Sequence, residues 1–362
     1  MTKNLLTLPA AILVGVCLLW SSCSRAPSSS IISLSGATMG TVYHVKVVSP
    51  SSSKKRVAKL RDTLLEGFES VNSSMSHYRA DSRISVFNRL GAGVTQTISG
   101  GFLDVMKMSF DLYRSTGGAF DITVGPLVRL WGFTNADSRV RDAPPTPDAI
   151  AKVLNNVGMN KLVLGPRGEL SKKAEGVELD LSAIAKGYAV DETAQRLRAS
   201  GYDNFMVEIG GEVCTSGKNA GGEDWIIGIA EPSHGAMLRE KIIKRLILGN
   251  ACLATSGNYE NRIEADGNFY SHILDPKTGQ PVSNGITSVS VIAPSCARAD
   301  GAATAITVMG PKEGYLWALR QPDLEALIIA RSPEGDLTEF TTPGLTRFLP
   351  STERGDSPKI GL

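Results

Sequence analysis

The order in which the hydrophobic period changes along this chain limits its fold more than any other feature. Segments of helical period crowd the first half. Leu60, Leu64, Phe68 and Val71 form one stripe; Leu103, Met106, Phe110 and Tyr113 form another, closed by Gly117 and Gly118. Ile150, Val153 and Leu154 predict a short third helix before a strand at 161–164. Val42 to Val48 alternates as a strand does, and further strands are read at 205–209, 225–229, 288–292 and 326–330. This series lacks the strand–helix alternation of a parallel sheet. It predicts an α+β fold with largely antiparallel sheets and packed helices. No Gly-x-Gly-x-x-Gly follows a strand, so a Rossmann-type dinucleotide site is unsupported.

Polar chemistry gathers in two places. The first is Glu178 to Asp191. Asp180 is expected to end a strand, Ser182 to cap the following helix, and Lys186 to sit in its first turns, with Gly187 removing a side chain beside it. Gly201 closes that helix. A helix start with free N–H groups and a lysine suits a phosphate. The upstream carboxylate suits a polar ligand group or a metal. An ordinary strand-to-helix junction with a surface lysine would read the same way.

The second place lies downstream. Ser271 to Gly279 is a polar run containing the turn signals Asp275-Pro276 and Thr278-Gly279. Cys296 to Met309 then reads as a helix of small residues. Asp300 and Thr304 stand one turn apart on it and share a face. They offer two hard oxygens of the kind Mg²⁺ prefers. Ala302, Ala303 and Ala305 argue for tight packing there and against a solvated face.

Several blocks, taken in order, resemble the ApbE family, the FAD:protein FMN transferases. They are Gly36 to Tyr43, Ser76 to Asn88, Thr116 to Leu127 with Leu130 to Phe133, Leu179 to Tyr188, Glu208 to Gly211, and Ser271 to Gly279 with the Asp300/Thr304 helix. The resemblance runs from about Ser35 to Ala330. It implies the same α+β fold, with FAD as substrate and Mg²⁺ as cofactor. The implied reaction moves the FMN moiety of FAD to a threonine hydroxyl of a target protein and releases AMP. The implied acceptors are flavin-carrying subunits of redox pumps.

The family pattern also assigns residues. Met39 lies against the flavin and Tyr78 at the isoalloxazine. Ala119, Phe120 and Asp121 contact the flavin, with the ring placed near Tyr78 and Phe120. Asp180 and Lys186 contact the nucleotide, and Ile273 lies beside it. The implied metal site is Ala183, Asp300, Ala303 and Thr304, where the alanines can offer only main-chain carbonyls.

The attacking hydroxyl needs a base or close positioning by the metal. His272 is the candidate, because imidazole titrates near neutrality; Asp275 is a weaker one. A structural histidine satisfied by the Asp275 turn is the other reading of His272. Two alternative functions stay open at this level. One is an FAD pyrophosphatase, in which water replaces the threonine. The other is a non-catalytic flavin-binding lipoprotein, against which the retention of both Asp300 and Thr304 speaks.

The N-terminus adds a location. An apolar run from Leu5 to Trp20 follows Lys3 and is short for a membrane span but suited to a signal peptide. Trp20-Ser-Ser-Cys23 looks like a bacterial lipobox, although leucine is the usual residue where Trp20 stands. The expected organisation is a signal peptide at 1–22, lipidated Cys23 opening a flexible tether at 23–34, a catalytic domain at 35–342, and an irregular or disordered tail at 343–362. That places a lipid-anchored protein on the periplasmic side of a bacterial envelope; an uncleaved anchor would place the domain on the same side. The formal net charge of +2 gives no hint of nucleic acid. The four histidines have no zinc spacing. Nothing in the spacing of Cys214, Cys252 and Cys296 forces a pairing, and buried free thiols are expected.

Overall fold

The computed structural model describes residues 30–133, 140–141, 143–231, 242–257, 262–265, 268–332 and 334–353. Its frame is one eight-stranded sheet. The strands are β1 (Ser30–Thr38), β2 (Thr41–Ser49), β3 (Phe205–Ile209), β4 (Glu212–Ser216), β5 (Cys252–Gly257), β6 (Ile286–Ala293), β7 (Glu325–Arg331) and β8 (Leu337–Thr341). They lie side by side in chain order, and every neighbouring pair is antiparallel. The α+β expectation with antiparallel pairing therefore holds.

Both faces of the sheet are covered, which explains why β7 reads as an unbroken apolar run rather than an alternation. Ala326 and Ile328 turn to the main core, and Leu327 and Ile329 turn to a second cluster on the opposite face. That second cluster also holds Ile229, Leu246 and Leu248 of a hairpin inserted between β4 and β5.

The helices fill the insertions. Between β2 and β3 lie α1 (Lys54–Met75), α2 (Arg83–Arg89), α3 (Gly101–Ser115), α4 (Gly125–Trp131), α5 (Pro147–Leu154) and α6 (Ala185–Ala199). Between β6 and β7 lie α7 (Cys296–Met309) and α8 (Pro311–Ala318). The α1 stripe is buried as read: Leu60, Leu64, Phe68 and Val71 all lie in the main core. The α3 stripe is rotated by one residue. Its buried face is Phe102, Val105, Met106, Ser109 and Leu112, while Leu103, Phe110 and Tyr113 pack only partly. Both sets fit a helical period; contact with α7 decides between them. A third cluster joins Leu127, Trp131, Ile150, Val157 and Leu274, and Trp131 Nε1 donates to the Gly279 carbonyl at 2.8 Å. It pins the 271–279 turn onto α4 and α5.

Several boundaries differ from expectation. β1 begins at Ser30, with Ile32 and Leu34 buried, so the end of the expected tether is already sheet. At the other end Pro343–Phe348 forms a 3-10 helix with Leu345 buried against the second cluster, so the expected tail begins as ordered structure. Cys214 and Cys252 form a disulfide between directly paired residues of β4 and β5, and only Cys296 is free among the described cysteines. The expectation of buried free thiols holds for Cys296 and fails for Cys214 and Cys252, because strand register, invisible in the spacing, brings those two together. The proposed signal peptide and Cys23 lie outside the described residues. No described helix is long and apolar enough to cross a membrane.

Candidate active site

Two helices from distant parts of the chain cross to build the site. A Cβ at Gly187 of α6 would lie 2.4 Å from the Cys296 carbonyl oxygen of α7, so only glycine permits this approach. On α7, a Cβ at Gly301 would meet Leu112 at 2.4 Å and Phe120 at 3.3 Å, which fixes the helix against α3. Asp191 of α6 then caps α7. Its carboxylate accepts from Ser295 Oγ at 2.9 Å, Cys296 N–H at 2.8 Å and Ala297 N–H at 2.9 Å.

This crossing points Asp300 inward. It is 3% exposed. Its Oδ2 accepts the Gly187 N–H at 3.0 Å, and its Oδ1 lies 3.9 Å from Lys186 Nζ. Lys186 is closer to Glu212, 3.1 Å from Oε1. Burial raises the pKa of Asp300, with Lys186 and the Gly187 N–H opposing it. Burial and the Asp300 charge raise the pKa of Glu212, and the Lys186 ammonium seated on its Oε1 opposes them. Burial alone would pull Lys186 down, but the Asp300 and Glu212 carboxylates outweigh it and hold the ammonium charged.

The oxygens that could hold a cation are uneven. Thr304 is half-buried, its hydroxyl 3.4 Å from Ser256 Oγ. Ala183 precedes α6. The Gly187 N–H, which a regular helix would direct to the Ala183 carbonyl, goes to Asp300 instead. Among the described residues no backbone N–H donates to the Ala183 carbonyl, which is thereby left available. Ala303 differs: it is fully buried, and its carbonyl accepts the Thr307 hydroxyl at 2.8 Å as well as lying inside α7. The chain's usable donors are thus Asp300, Thr304 and the Ala183 carbonyl. All are hard oxygens, and they fit Mg²⁺ better than a soft metal.

A second group of expected residues comes together beside this one. Residues 119–124 and 178–182 run side by side, with the Asp180 N–H donating to the Ile122 carbonyl at 2.7 Å and a parallel bridge between Val124 and Glu178. Asn88 holds Leu179 by both its N–H and its carbonyl, at 2.8 and 2.9 Å. Asp180 ends no strand. It forms a turn, accepting from the Ser182 N–H at 2.8 Å and from the Ser182 hydroxyl. Ser182 therefore does not cap α6, whose N-cap position is Ile184. Phe120 is buried to 1% within the core, its ring against Gly301 of α7, so the ring offers no open face to a flavin. Asp121 is spent internally, on the Thr123 N–H at 2.7 Å and the Met159 N–H at 3.1 Å, and its burial raises its pKa.

Tyr78 is a different case. It is 69% exposed, its ring centroid 4.0 Å from that of His77. His77 Nδ1 lies 3.8 Å from Asp180 Oδ2, and His77 Nε2 is buried without a partner. Partial desolvation and the nearby Asp180 charge raise the Tyr78 pKa. A large ring held in the open beside buried polar groups suits stacking on a ligand. Met39 occupies the turn between β1 and β2 at φ 51°, the only non-glycine residue with positive φ among those described. That costs a methionine on the order of 1–2 kcal/mol, strain of the kind found at ligand clamps.

The 271–279 segment lies against α4 and α5. Asp275 shapes its own turn, accepting from the Lys277 N–H at 2.8 Å and the Thr278 hydroxyl at 3.1 Å. His272 is half-buried at the head of that turn; Ile273 is buried, and its N–H donates to Ser271 Oγ at 3.1 Å. Lys277 reaches toward Gly118, 3.9 Å from where a Cβ there would stand. Sequence reasoning missed Glu212, His77 and Asp191. Glu212 opens a strand whose five residues are all buried, a setting that only the fold reveals.

Hard oxygens, a lysine between two buried carboxylates and, reached through Asp180 and His77, an open aromatic ring thus lie along one stretch of the fold. The chain belongs to the ApbE family, whose model matches residues 39–328. It is 36% identical over 347 residues to the FAD:protein FMN transferase of Haemophilus influenzae, covering 94% of this chain and 97% of that one. It is 39% identical over 320 residues to the enzyme of that name from Vibrio cholerae, covering 88% and 92%. The solved structure of the flavin transferase ApbE from Vibrio cholerae superposes with a TM-score of 0.79 at 37% identity, over 89% of this chain and all of that one.

If the open ring is a flavin platform, Tyr78→Ala should weaken FAD binding several-fold, since a stacking pair contributes about 1 kcal/mol beyond its area. AMP binding should stay nearly intact. Calorimetric titration with both ligands checks this; equal weakening of the two would assign Tyr78 to the fold.

Proposed function

We propose that this chain transfers the FMN moiety of FAD to a threonine hydroxyl of a partner protein, with a divalent cation, and releases AMP. Family membership and the transferase names of its relatives support the class, flavin transfer to protein. The observation that carries the finer reading is the Asp300–Lys186–Ala183 arrangement at the α6/α7 crossing, a buried carboxylate and a half-buried ammonium with a main-chain oxygen that accepts no backbone N–H.

The chemistry follows from FAD being FMN and AMP joined through a pyrophosphate. A cation held by Asp300, Thr304 and the Ala183 carbonyl would neutralise charge on that pyrophosphate and improve AMP as a leaving group. Lys186 supplies a point charge to a phosphate oxygen. Tyr78 orients the ring. The threonine oxygen forms a bond to the FMN phosphorus while the bond from that phosphorus to the AMP oxygen breaks. The hydroxyl proton passes to a base, for which His272 is the proposed residue. AMP leaves with the bridging oxygen.

The test is mass spectrometry of an exported acceptor domain incubated with the protein, FAD and Mg²⁺. The acceptor should gain one FMN per AMP released. Replacing its threonine with valine, which keeps the shape and removes the hydroxyl, should abolish the gain. AMP formed at full rate with no acceptor labelled across several candidates would make the chain a pyrophosphatase. Flavin-carrying redox-pump subunits are the proposed acceptors.

We also propose that the protein works on the periplasmic side of a bacterial envelope, anchored through Cys23. The Trp20-Ser-Ser-Cys23 sequence and the Cys214–Cys252 disulfide, a bond of oxidising compartments, support this. Cys23→Ser should leave an unprocessed precursor without acyl label, and unchanged labelling would count against the anchor.

A further inference from the structure

Glu212 stands in this site with no assigned part. It opens β4, one step beyond a tight turn in which Gly210 and Gly211 have φ of 62° and 98°. The Gly211 N–H donates to Glu208 Oε1 at 2.7 Å, so the turn that presents Glu212 is braced. The side chain is 2% exposed. Its Oε2 has no hydrogen-bond partner. A buried carboxylate satisfied on one oxygen is a poor device for stability, because a neutral side chain of similar shape would avoid the desolvation cost. Its position suggests another use.

Lys186 has two carboxylates to choose between. It lies at hydrogen-bond distance from Glu212, 3.1 Å, and beyond it from Asp300, 3.9 Å. Asp300 Oδ2 is already occupied by the Gly187 N–H. Its Oδ1, which accepts no hydrogen bond, is therefore the more open oxygen for a cation, and an ammonium seated on Oδ1 would have to be displaced first. The two charges would compete for one atom.

We infer that Glu212 is a positioning residue that holds the Lys186 ammonium off Asp300, keeping Oδ1 open to a divalent cation. The inference rests on the proposal that Asp300 binds a cation. Glu212 touches neither the cation nor the substrate in this scheme. It acts through Lys186, which remains charged and turned to the phosphate side while Asp300 keeps its ligating oxygen. Without Glu212 the ammonium would close onto Asp300.

The test measures cation binding directly, by Mn²⁺ titration followed with electron paramagnetic resonance, without FAD or acceptor. Glu212→Gln keeps the shape and removes the charge. It should weaken Mn²⁺ binding roughly tenfold or more, the usual effect of removing a partner that orients a ligand. In a Lys186→Met background, where no ammonium remains to misplace, Glu212→Gln should change Mn²⁺ affinity by less than about twofold, because the two residues act as a coupled pair. An unchanged affinity in the single variant overturns the inference. So does an equal loss in both backgrounds, which would make Glu212 a ligand or a fold element. Should Glu212→Gln not fold, Glu212→Asp, which keeps the charge and withdraws it, carries the same comparison. A wild-type protein that binds no Mn²⁺ overturns the inference together with the cation site. A wild-type protein that binds Mn²⁺ but never labels an acceptor overturns only the transferase reading.

Discussion

Asp300→Ala should abolish FMN transfer, a fall of about a thousandfold or more, since the charge stabilisation attributed to a metal-held phosphate amounts to several kcal/mol. Asp300 is the only charged side chain among the proposed cation donors. Its effect on folding has two opposing parts. Asp300 is buried rather than surface-facing, so the substitution strips the Gly187 N–H of its partner, which costs about 1–3 kcal/mol. It also removes a carboxylate whose raised pKa shows that the folded state disfavours its charge. Above the ordinary carboxylate range, that disfavoured charge weighs against the native state, so its loss offsets part of the cost. The expected result is a folded protein with a modestly shifted thermal midpoint and no turnover. AMP production by the variant at modest Mg²⁺, matching that of the wild type, would remove Asp300 from the site.

Gly187→Ala should have the second-largest effect, from a single methyl group. The added carbon would sit 2.4 Å from the Cys296 carbonyl oxygen and 2.8 Å from Ala297 Cα, both backbone atoms with no side-chain freedom to retreat. The helices must part. Overpacking of this kind costs about 1–3 kcal/mol. Parting also draws the Gly187 N–H away from Asp300 and turns the carboxylate. A displacement near 1 Å of a site residue lowers turnover on the order of a hundredfold. Thermal melting and transfer kinetics, measured on the same preparation, check both halves. Wild-type turnover in a destabilised variant would show that the crossing serves the fold and not the site.

How much of this was legible in the sequence depends on the range of each interaction. The α7 boundaries could be read because small residues and the Asp300/Thr304 spacing are local signals. The antiparallel character could be read from the absence of strand–helix alternation. The rotation of α3 could not, because two overlapping stripes satisfy one period and a partner far along the chain selects between them. The disulfide stayed hidden because Cys214 and Cys252, 38 residues apart, meet only through the β4–β5 register. Glu212 stayed hidden for the same reason. Its meaning lies in its 3.1 Å approach to Lys186 on another element, and no spacing rule along one chain records that distance. The family pattern supplied residue positions that local physics alone would not. It did not reveal that the Phe120 ring faces the core or that the Ala303 carbonyl is already engaged.

The sheet is threaded in the order in which its strands are made, so each segment that shapes the pocket is an excursion that leaves one strand and returns to its neighbour. Lengthening such an excursion adds little closure entropy, which grows only with the logarithm of loop length. Strand register is kept by the buried residues on both faces and does not depend on the length of what intervenes. One excursion can therefore be exchanged without rethreading the rest. A lineage could retune the surface that receives a new acceptor while the chassis beneath it, and the helix crossing proposed to carry the chemistry, stayed as they are.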